Sequence, residues 1–174
     1  MISLLPLTAE YHTAALQEVY AATPGYWAMY NLPGAPAGQA ERDLQAVAET
    51  PGRVLLGMVR RLLADDASAG AELIGVVDLR LDWPAPETAY LGLVLLAEAV
   101  QRQRIGTQAW KLLQPWLTRN AEMQRVRLGV EQFNPAALKF FEQLGFALTG
   151  EANRVKVGEK FVRLLYMEKT LIDN

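Results

Sequence analysis

The chain has 174 residues, 51% of them hydrophobic, and no cysteine. That length lets one domain bury a core without disulfides or metal, and the missing thiols exclude disulfide scaffolds, thiolate metal sites and cysteine nucleophiles. With 17 Lys and Arg against 19 Asp and Glu, the net charge of -2 offers no long-range attraction to nucleic acid or an anionic membrane.

In chain order, Met1 to Thr8 has no basic start, long apolar run or small-residue cleavage site, so no signal peptide is visible. No later run approaches membrane-spanning length, and a soluble cytoplasmic protein with no membrane or nucleic-acid partner is expected. Thr8 is placed to cap a first helix whose apolar positions Tyr11, Ala15, Leu16 and Val19 follow helical spacing, ending near Thr23-Pro24-Gly25. His12, the only histidine, falls on this helix as a surface or half-buried residue, and no metal site is expected from it. A loop rich in Gly, Pro and aromatics follows, containing Tyr26, Trp27 and Tyr30. A second helix is predicted from about Gly38 to Glu49, with Ala40, Leu44, Val47 and Ala48 on one face and Pro51-Gly52 as its stop.

Arg53 to Leu62 and Glu72 to Leu81 read as strands joined by the polar turn Asp65-Asp66-Ala67-Ser68-Ala69-Gly70, an antiparallel hairpin. Trp83-Pro84-Ala85-Pro86 then leads into a strand near Ala89 to Leu96. Beyond the basic stretch Gln101 to Thr107, the residues Ile105, Ala109, Leu112, Leu113, Trp116 and Leu117 recur with a period near 3.6, a helix that Pro115 is expected to kink. Gln124 to Glu131 alternates, with Val126, Leu128 and Val130 opposite Arg127, Gly129 and Glu131, and reads as a strand. A last helix has Asn134 as cap, Pro135 in its first turn, Ala137, Phe140, Phe141 and Leu144 on its buried side and Gly145 as its stop. Two terminal strands, around Phe146 to Val155 and Phe161 to Lys169, complete a mixed sheet with helices packed on it.

Chemistry concentrates in Gln101 to Thr107. Arginines in a first helical turn oppose the helix dipole unless an anion is nearby, and a turn that gathers backbone N–H groups and two guanidinium groups is suited to a pyrophosphate. An ordinary solvated helix start leaves Arg102 and Arg104 unexplained. Asn134 needs no role beyond capping, and Leu93-Val94-Leu95 taken alone fits an uninterrupted buried strand.

The order of elements and two motifs resemble the GNAT superfamily of acyl-coenzyme A N-acyltransferases. The family's phosphate-binding turn, Gln/Arg-x-x-Gly-x-Gly/Ala, stands here as Gln101-Arg102-Gln103-Arg104-Ile105-Gly106. Its later motif, Asn-x-x-Ala-x-x-x-Tyr-x-x-x-Gly-Phe, stands as Asn134, Ala137, Phe141, Gly145 and Phe146. The resemblance implies an α/β fold with α+β layering: one domain over residues 1–174, with a mixed, mostly antiparallel sheet and helices on both faces. It implies acetyl-coenzyme A as co-substrate without a metal, and a small-molecule amine as acceptor. It further implies a coenzyme A site made by Leu93, Val94 and Leu95, by Gln101, Arg102, Gln103, Arg104, Ile105, Gly106 and Thr107, and by Asn134, Ala137 and Phe141. Two departures stand out. Arg104 replaces the first glycine of the turn, and Phe141 replaces the tyrosine that protonates the departing thiolate.

Amine acylation needs a base to deprotonate the ammonium, and without a suitable histidine a carboxylate acting through water is the expected agent. Glu131, ending its strand three residues before Asn134, and Asp78, on the polar parity of Leu73 to Leu81, are the candidates; a salt bridge or solvated strand face would explain either residue equally well. Tyr26, Trp27 and Tyr30 are the expected acceptor wall, or else hydrophobic staples of their loop. Tyr90 and Tyr166 are alternative proton donors. The expected reaction is direct transfer in a ternary complex, by a monomer or homodimer. The rivals are a coenzyme A binding or sensing module without catalysis and a protein or peptide acetyltransferase.

Overall fold

The computed structural model describes residues 1–62, 70–157 and 159–171. Its elements are β1 (Ile2–Pro6), α1 (Ala9–Ala21), α2 (Pro24–Met29), α3 (Gln39–Glu49), β2 (Arg53–Arg61), β3 (Ala71–Arg80), β4 (Thr88–Leu96), α4 (Ile105–Arg119), β5 (Arg125–Glu131), α5 (Pro135–Gln143), β6 (Ala147–Val157) and β7 (Lys160–Thr170). The strands form one mixed seven-stranded sheet in the order β1-β2-β3-β4-β5-β7-β6. Two compact units share the chain, Met1–Leu79 with Leu93–Leu113, and Arg80–Gly92 with Gln114–Asn174.

In the first unit β1 pairs antiparallel with β2, from Ile2 opposite Arg60 to Pro6 opposite Leu56. This strand was not among the sequence expectations, because five residues ending in proline carry little pattern. As the edge of the sheet it tolerates Pro6, which has no N–H to donate. A second difference is α2, where a loop was expected: Pro24 takes the first helical position, and its fixed φ starts the turn that places Tyr26 and Trp27. Thr8 stands at the N-cap of α1 without a side-chain capping bond. His12 acts there instead, its Nδ1 accepting the Thr8 N–H at 2.9 Å. The core gathers Leu16, Tyr20, Trp27, Ala40, Leu44, Leu55, Val76 and Leu95. Gln17 ties α1 to the start of α3 by donating to Pro36 O and accepting from Ala40 N. The turn expected between β2 and β3 lies largely outside the described residues, although Leu62 N donates to Gly70 O at its base.

In α4, which runs through Pro115, the buried residues are Ile105, Ala109, Trp110, Leu113 and Leu117. Leu112, expected in that stripe, is 45% exposed, and Trp110 takes its place. The buried stripe is therefore rotated toward Trp110, which the count of apolar residues alone did not reveal.

The second unit is built on β5. It pairs parallel with β4 over Thr88–Leu91 opposite Arg125–Leu128, and antiparallel with β7 over its whole length. β6 and β7 form a long antiparallel hairpin whose register shifts between Leu148 and Ala152, next to Gly150 at φ 85°. Val126, Leu128 and Val130 are buried as the alternation predicts.

Candidate active site

In the first unit, a short 3-10 turn, Glu98–Val100, delivers the chain into the basic stretch. Residues Gln101, Arg102, Gln103 and Arg104 are all exposed. Arg102 and Arg104 hold φ of 62° and 60°, the left-handed region that favours glycine. The backbone at Arg104 thus keeps the conformation that a glycine would supply. Two side chains brace the turn: Gln101 Nε2 donates to Leu96 O at 2.9 Å, and Gln103 Nε2 to Ala99 O at 3.3 Å. Arg102 and Arg104 have no carboxylate partner among the described residues. Ile105 anchors the start of α4 in the interior, while Gly106 and Thr107 complete a first turn whose N–H groups lack intrahelical acceptors. Two guanidinium groups with no carboxylate partner among the described residues, a strained turn and open amides at one place fit a pyrophosphate. Upstream on β4, Leu93 and Val94 are half-buried and Leu95 is buried. The carbonyl oxygen of Leu95 lies 2.7 Å from where a Cβ on Gly75 would be, so Gly75 is small to admit it.

Asp78, also in this unit, accepts a two-pronged bond from Arg53: Nε to Oδ1 at 3.1 Å and Nη2 to Oδ2 at 2.6 Å. That bond, reinforced by nearby Asp43 and Tyr20 and opposed by burial, raises the Arg53 guanidinium above its usual value. Both carboxylate oxygens of Asp78 are therefore engaged in the ground state. Of the three α2 aromatics, Trp27 is buried and donates Nε1 to Tyr20 O at 2.8 Å, a core role. Tyr26 and Tyr30 are half-buried, with Tyr26 edge-on to both Trp27 and Tyr30 at 4.9 and 5.5 Å between ring centres.

The second unit brings Glu131, Tyr90 and Tyr166 into one neighbourhood. Strand pairing sets Tyr90 opposite Arg127 and Gly129 opposite Tyr166, and the alternation of β5 carries Arg127, Gly129 and Glu131 on one face. Burial first, then the fields of Tyr166 and Glu131, hold the Tyr90 hydroxyl protonated above the ordinary phenol range, against the opposing pull of Arg127. Arg127 lies 4.3 Å over the Tyr166 ring and donates to Glu168 at 3.2 Å and to Glu151. Burial opposes its charge, and the two carboxylates more than offset this. Sequence reading placed Arg127 on the right parity but gave it no role. Its signal is a cation beside Gly129, where a strand face has lost a side chain.

Asn134 Oδ1 accepts the Ala137 N–H at 3.2 Å, the capping bond that starts α5. Gly145, at φ 96°, ends it; a Cβ there would stand 2.5 Å from Lys169 Nζ. No residue of α5 is fully buried. Phe140 and Phe141, expected as core, are half-buried, and Phe141 sits edge-on to Phe140 and to buried Phe146 at 5.0 and 5.5 Å. A half-buried Phe141 keeps part of its ring open to a ligand.

Residues 28–146 match the model of the acetyltransferase (GNAT) family. A comparison with curated proteins gave no match. Among solved structures, an acetyltransferase from Thermus thermophilus is 26% identical, with a TM-score of 0.74 over 98% of this chain and 97% of that one. The spermidine N-acetyltransferase of Vibrio cholerae, solved with CoA and spermine, is 15% identical, with a TM-score of 0.71 over 98% and 95% of the two chains. An acetyltransferase of the GNAT family from Streptococcus pneumoniae is 14% identical, with a TM-score of 0.65 over 98% and 99%. At those identities the last two speak for the fold.

Proposed function

The chain belongs to the GNAT acetyltransferase family, and on that premise we propose that residues 1–174 act as one N-acetyltransferase domain. It passes an acetyl group from acetyl-coenzyme A directly to a primary amine of a small molecule. The observation that carries this reading is the Gln101–Arg104 turn. Two arginines in a left-handed, glycine-like backbone, without carboxylate partners among the described residues, are costly to keep unless an anion offsets the cost.

In this reading Arg102, Arg104 and the first-turn amides of Ile105, Gly106 and Thr107 hold the pyrophosphate, with Gln101 and Gln103 bracing the turn. Leu93, Val94 and Leu95 offer backbone groups to the amide-bearing arm, while Asn134, Ala137 and Phe141 flank the cofactor. Acetyl-coenzyme A supplies the acetyl group as an activated thioester. Glu131 takes a proton from the acceptor ammonium through water, so that the amine lone pair is free to attack. Asp78 is the second candidate, but it must first leave Arg53. As the amine attacks the thioester carbonyl and the C–S bond breaks, Tyr90, kept protonated by its surroundings, gives its proton to the departing sulfur in place of the tyrosine replaced by Phe141 and regains one through water from the acylated nitrogen; Tyr166 is the alternative donor. Tyr26 and Tyr30, with Trp27 behind them, form the acceptor wall. Without a cysteine, the chain has no thiol to carry an acyl-enzyme.

Two readouts on one sample test this: titration calorimetry with acetyl-coenzyme A, then thiol release with a panel of primary amines and mass analysis of the products. Binding with turnover and an N-acetylated product supports the reading, and failure to bind removes it. Phe141, which has no hydroxyl, favours a second reading, a coenzyme A sensing module. Binding without turnover across small amines and peptides would support that instead.

A further inference from the structure

Pro24 opens α2 without an N–H, so Gly25 carries the first backbone donor inside that helix. The residue normally placed to receive such a donor is the N-cap, Thr23, and threonine is a favoured type there. Thr23 does not serve: its buried hydroxyl donates to Tyr20 O at 2.8 Å, and it makes no side-chain capping bond. Gly25 N–H is accepted instead by Glu98 Oε1 at 2.7 Å, from 73 residues along the chain. Glu98 also donates its own N–H to Ala22 O at 2.9 Å, at the C-cap of α1. It thus satisfies one orphan carbonyl where α1 ends and one orphan amide where α2 begins.

Glycine at position 25 is part of this contact. A Cβ there would stand 2.9 Å from Glu98 Oε1, so a larger residue pushes the carboxylate off the N–H. Alanine suits a helix better by itself, yet glycine stands where the carboxylate approaches. On its other side Glu98 begins the 3-10 turn Glu98–Val100, and its carbonyl accepts the Gln101 N–H at 3.2 Å. Val100 is buried, and Gln101 and Gln103 fold their amides back onto Leu96 O and Ala99 O, so residues 96–103 form one braced piece. Arg102 lies within that piece and Arg104 directly after it, while Tyr26 adjoins Gly25 and meets Tyr30 edge-on at 5.5 Å. One side chain therefore joins the turn assigned to the pyrophosphate to the helix assigned to the acceptor wall. All of these residues belong to the first compact unit.

We infer that Glu98 is a positioning residue for acceptor binding: its carboxylate on Gly25 fixes α2, and with it Tyr26 and Tyr30, against the turn that holds the cofactor's pyrophosphate. This rests on the acetyl-transfer reading and adds to it a residue that touches neither substrate. Because such a link is reciprocal, a pyrophosphate that stills the turn also steadies α2.

The test uses the full chain with acetyl-coenzyme A and the panel of primary amines. Glu98→Ala removes the acceptor of the Gly25 N–H, Glu98→Gln keeps an oxygen in its place, and Gly25→Ala displaces the carboxylate with only the end of a flexible side chain to move. Melting temperature and calorimetry of acetyl-coenzyme A confirm that each variant is folded and holds the cofactor. The Kd should change little, because Gln101 and Gln103 still brace the turn. For the amine that the wild type turns over fastest, Glu98→Ala should raise KM by about 10-fold, the low end for a hydrogen bond to a charged group, with kcat changed far less. Gly25→Ala should reproduce that rise, and the two changes together should be no worse than either alone, since they break one contact. Glu98→Gln should stay near the wild type. Hydrogen exchange needs no acceptor: acetyl-coenzyme A should slow exchange of the α2 amides in the wild type and in Glu98→Gln, but not in Glu98→Ala. The inference is overturned if Glu98→Ala and Gly25→Ala lower the melting temperature and leave KM unchanged, or if acetyl-coenzyme A slows α2 exchange equally with and without Glu98. Binding without turnover leaves the exchange result to decide it, whereas failure of the wild type to bind acetyl-coenzyme A would instead remove the transferase reading.

Discussion

A Cβ on Gly129 would stand 3.2 Å from the Tyr90 hydroxyl and 3.4 Å from Tyr166 Cε1. Glycine at this position of β5 is therefore what lets tyrosines from β4 and β7 converge across the strand between them. Gly129→Ala should displace the Tyr90 hydroxyl and cost about 1 to 2 kcal/mol through overpacking, read as a lower denaturant midpoint at unchanged slope. If Tyr90 is the proton donor, kcat should fall with the Kd of acetyl-coenzyme A unchanged. A variant as stable and as active as the wild type would remove both the crowding and the role.

Glu131 and Asp78 are separable by what each loss would do. Glu131→Gln should lower kcat by about 100-fold or more, within the usual range for a general base. Asp78→Asn leaves Arg53 without its two-pronged partner at side-chain exposures of 24% and 16%. It should cost about 2 kcal/mol of stability, less than a fully buried pair because water reaches both groups. Retained kcat in Asp78→Asn with loss in Glu131→Gln would assign the base, and the reverse pattern would transfer the role to Asp78.

Arg104 holds a left-handed backbone, and removing its Cβ relieves the clash that L-residues suffer there. Part of that gain returns as unfolded-chain entropy, so Arg104→Gly should be neutral or stabilising by up to about 1 kcal/mol. Affinity for acetyl-coenzyme A should fall by less than about 10-fold, because the N–H remains and only one charge is lost. A strongly destabilised glycine variant would mean that the Arg104 side chain is itself structural.

Tyr20 gives the fold a pH dependence of known sign. Burial first, and then its 2.6 Å hydrogen bond to Asp43, hold its hydroxyl protonated well above the ordinary phenol value. The unfolded chain ionises it near pH 10. The contribution is therefore fully present below about pH 10 and is lost as pH rises beyond it. Tyr20→Phe should flatten that alkaline loss while lowering stability at neutral pH, since Asp43 loses a donor. An alkaline unfolding curve identical in wild type and variant would refute this assignment.

Legibility in the sequence followed the strength of local punctuation. Asn134-Pro135 and Gly145 bracket α5 because capping, a preset φ and a left-handed stop are written in single residues. β1 escaped because a five-residue edge strand has no room for a pattern, and α2 because Pro24-Gly25 reads as a turn unless its tertiary setting is known. The basic turn was visible as composition, but its left-handed arginines were not, since nothing in an arginine announces a positive φ. Asp78 was visible by parity and Arg53 was not, because their pairing depends on which strands lie side by side. The Tyr90, Gly129 and Tyr166 cluster has the same cause: strand register brings together residues that are far apart in sequence.

The most direct measurement is titration calorimetry of acetyl-coenzyme A against the wild type and the double variant Arg102→Glu with Arg104→Glu, both confirmed as folded by their melting temperatures. Binding by the wild type and none detectable in the folded double variant is the expected result. Equal affinity in the two would contradict the assignment of the Gln101–Arg104 turn to the pyrophosphate.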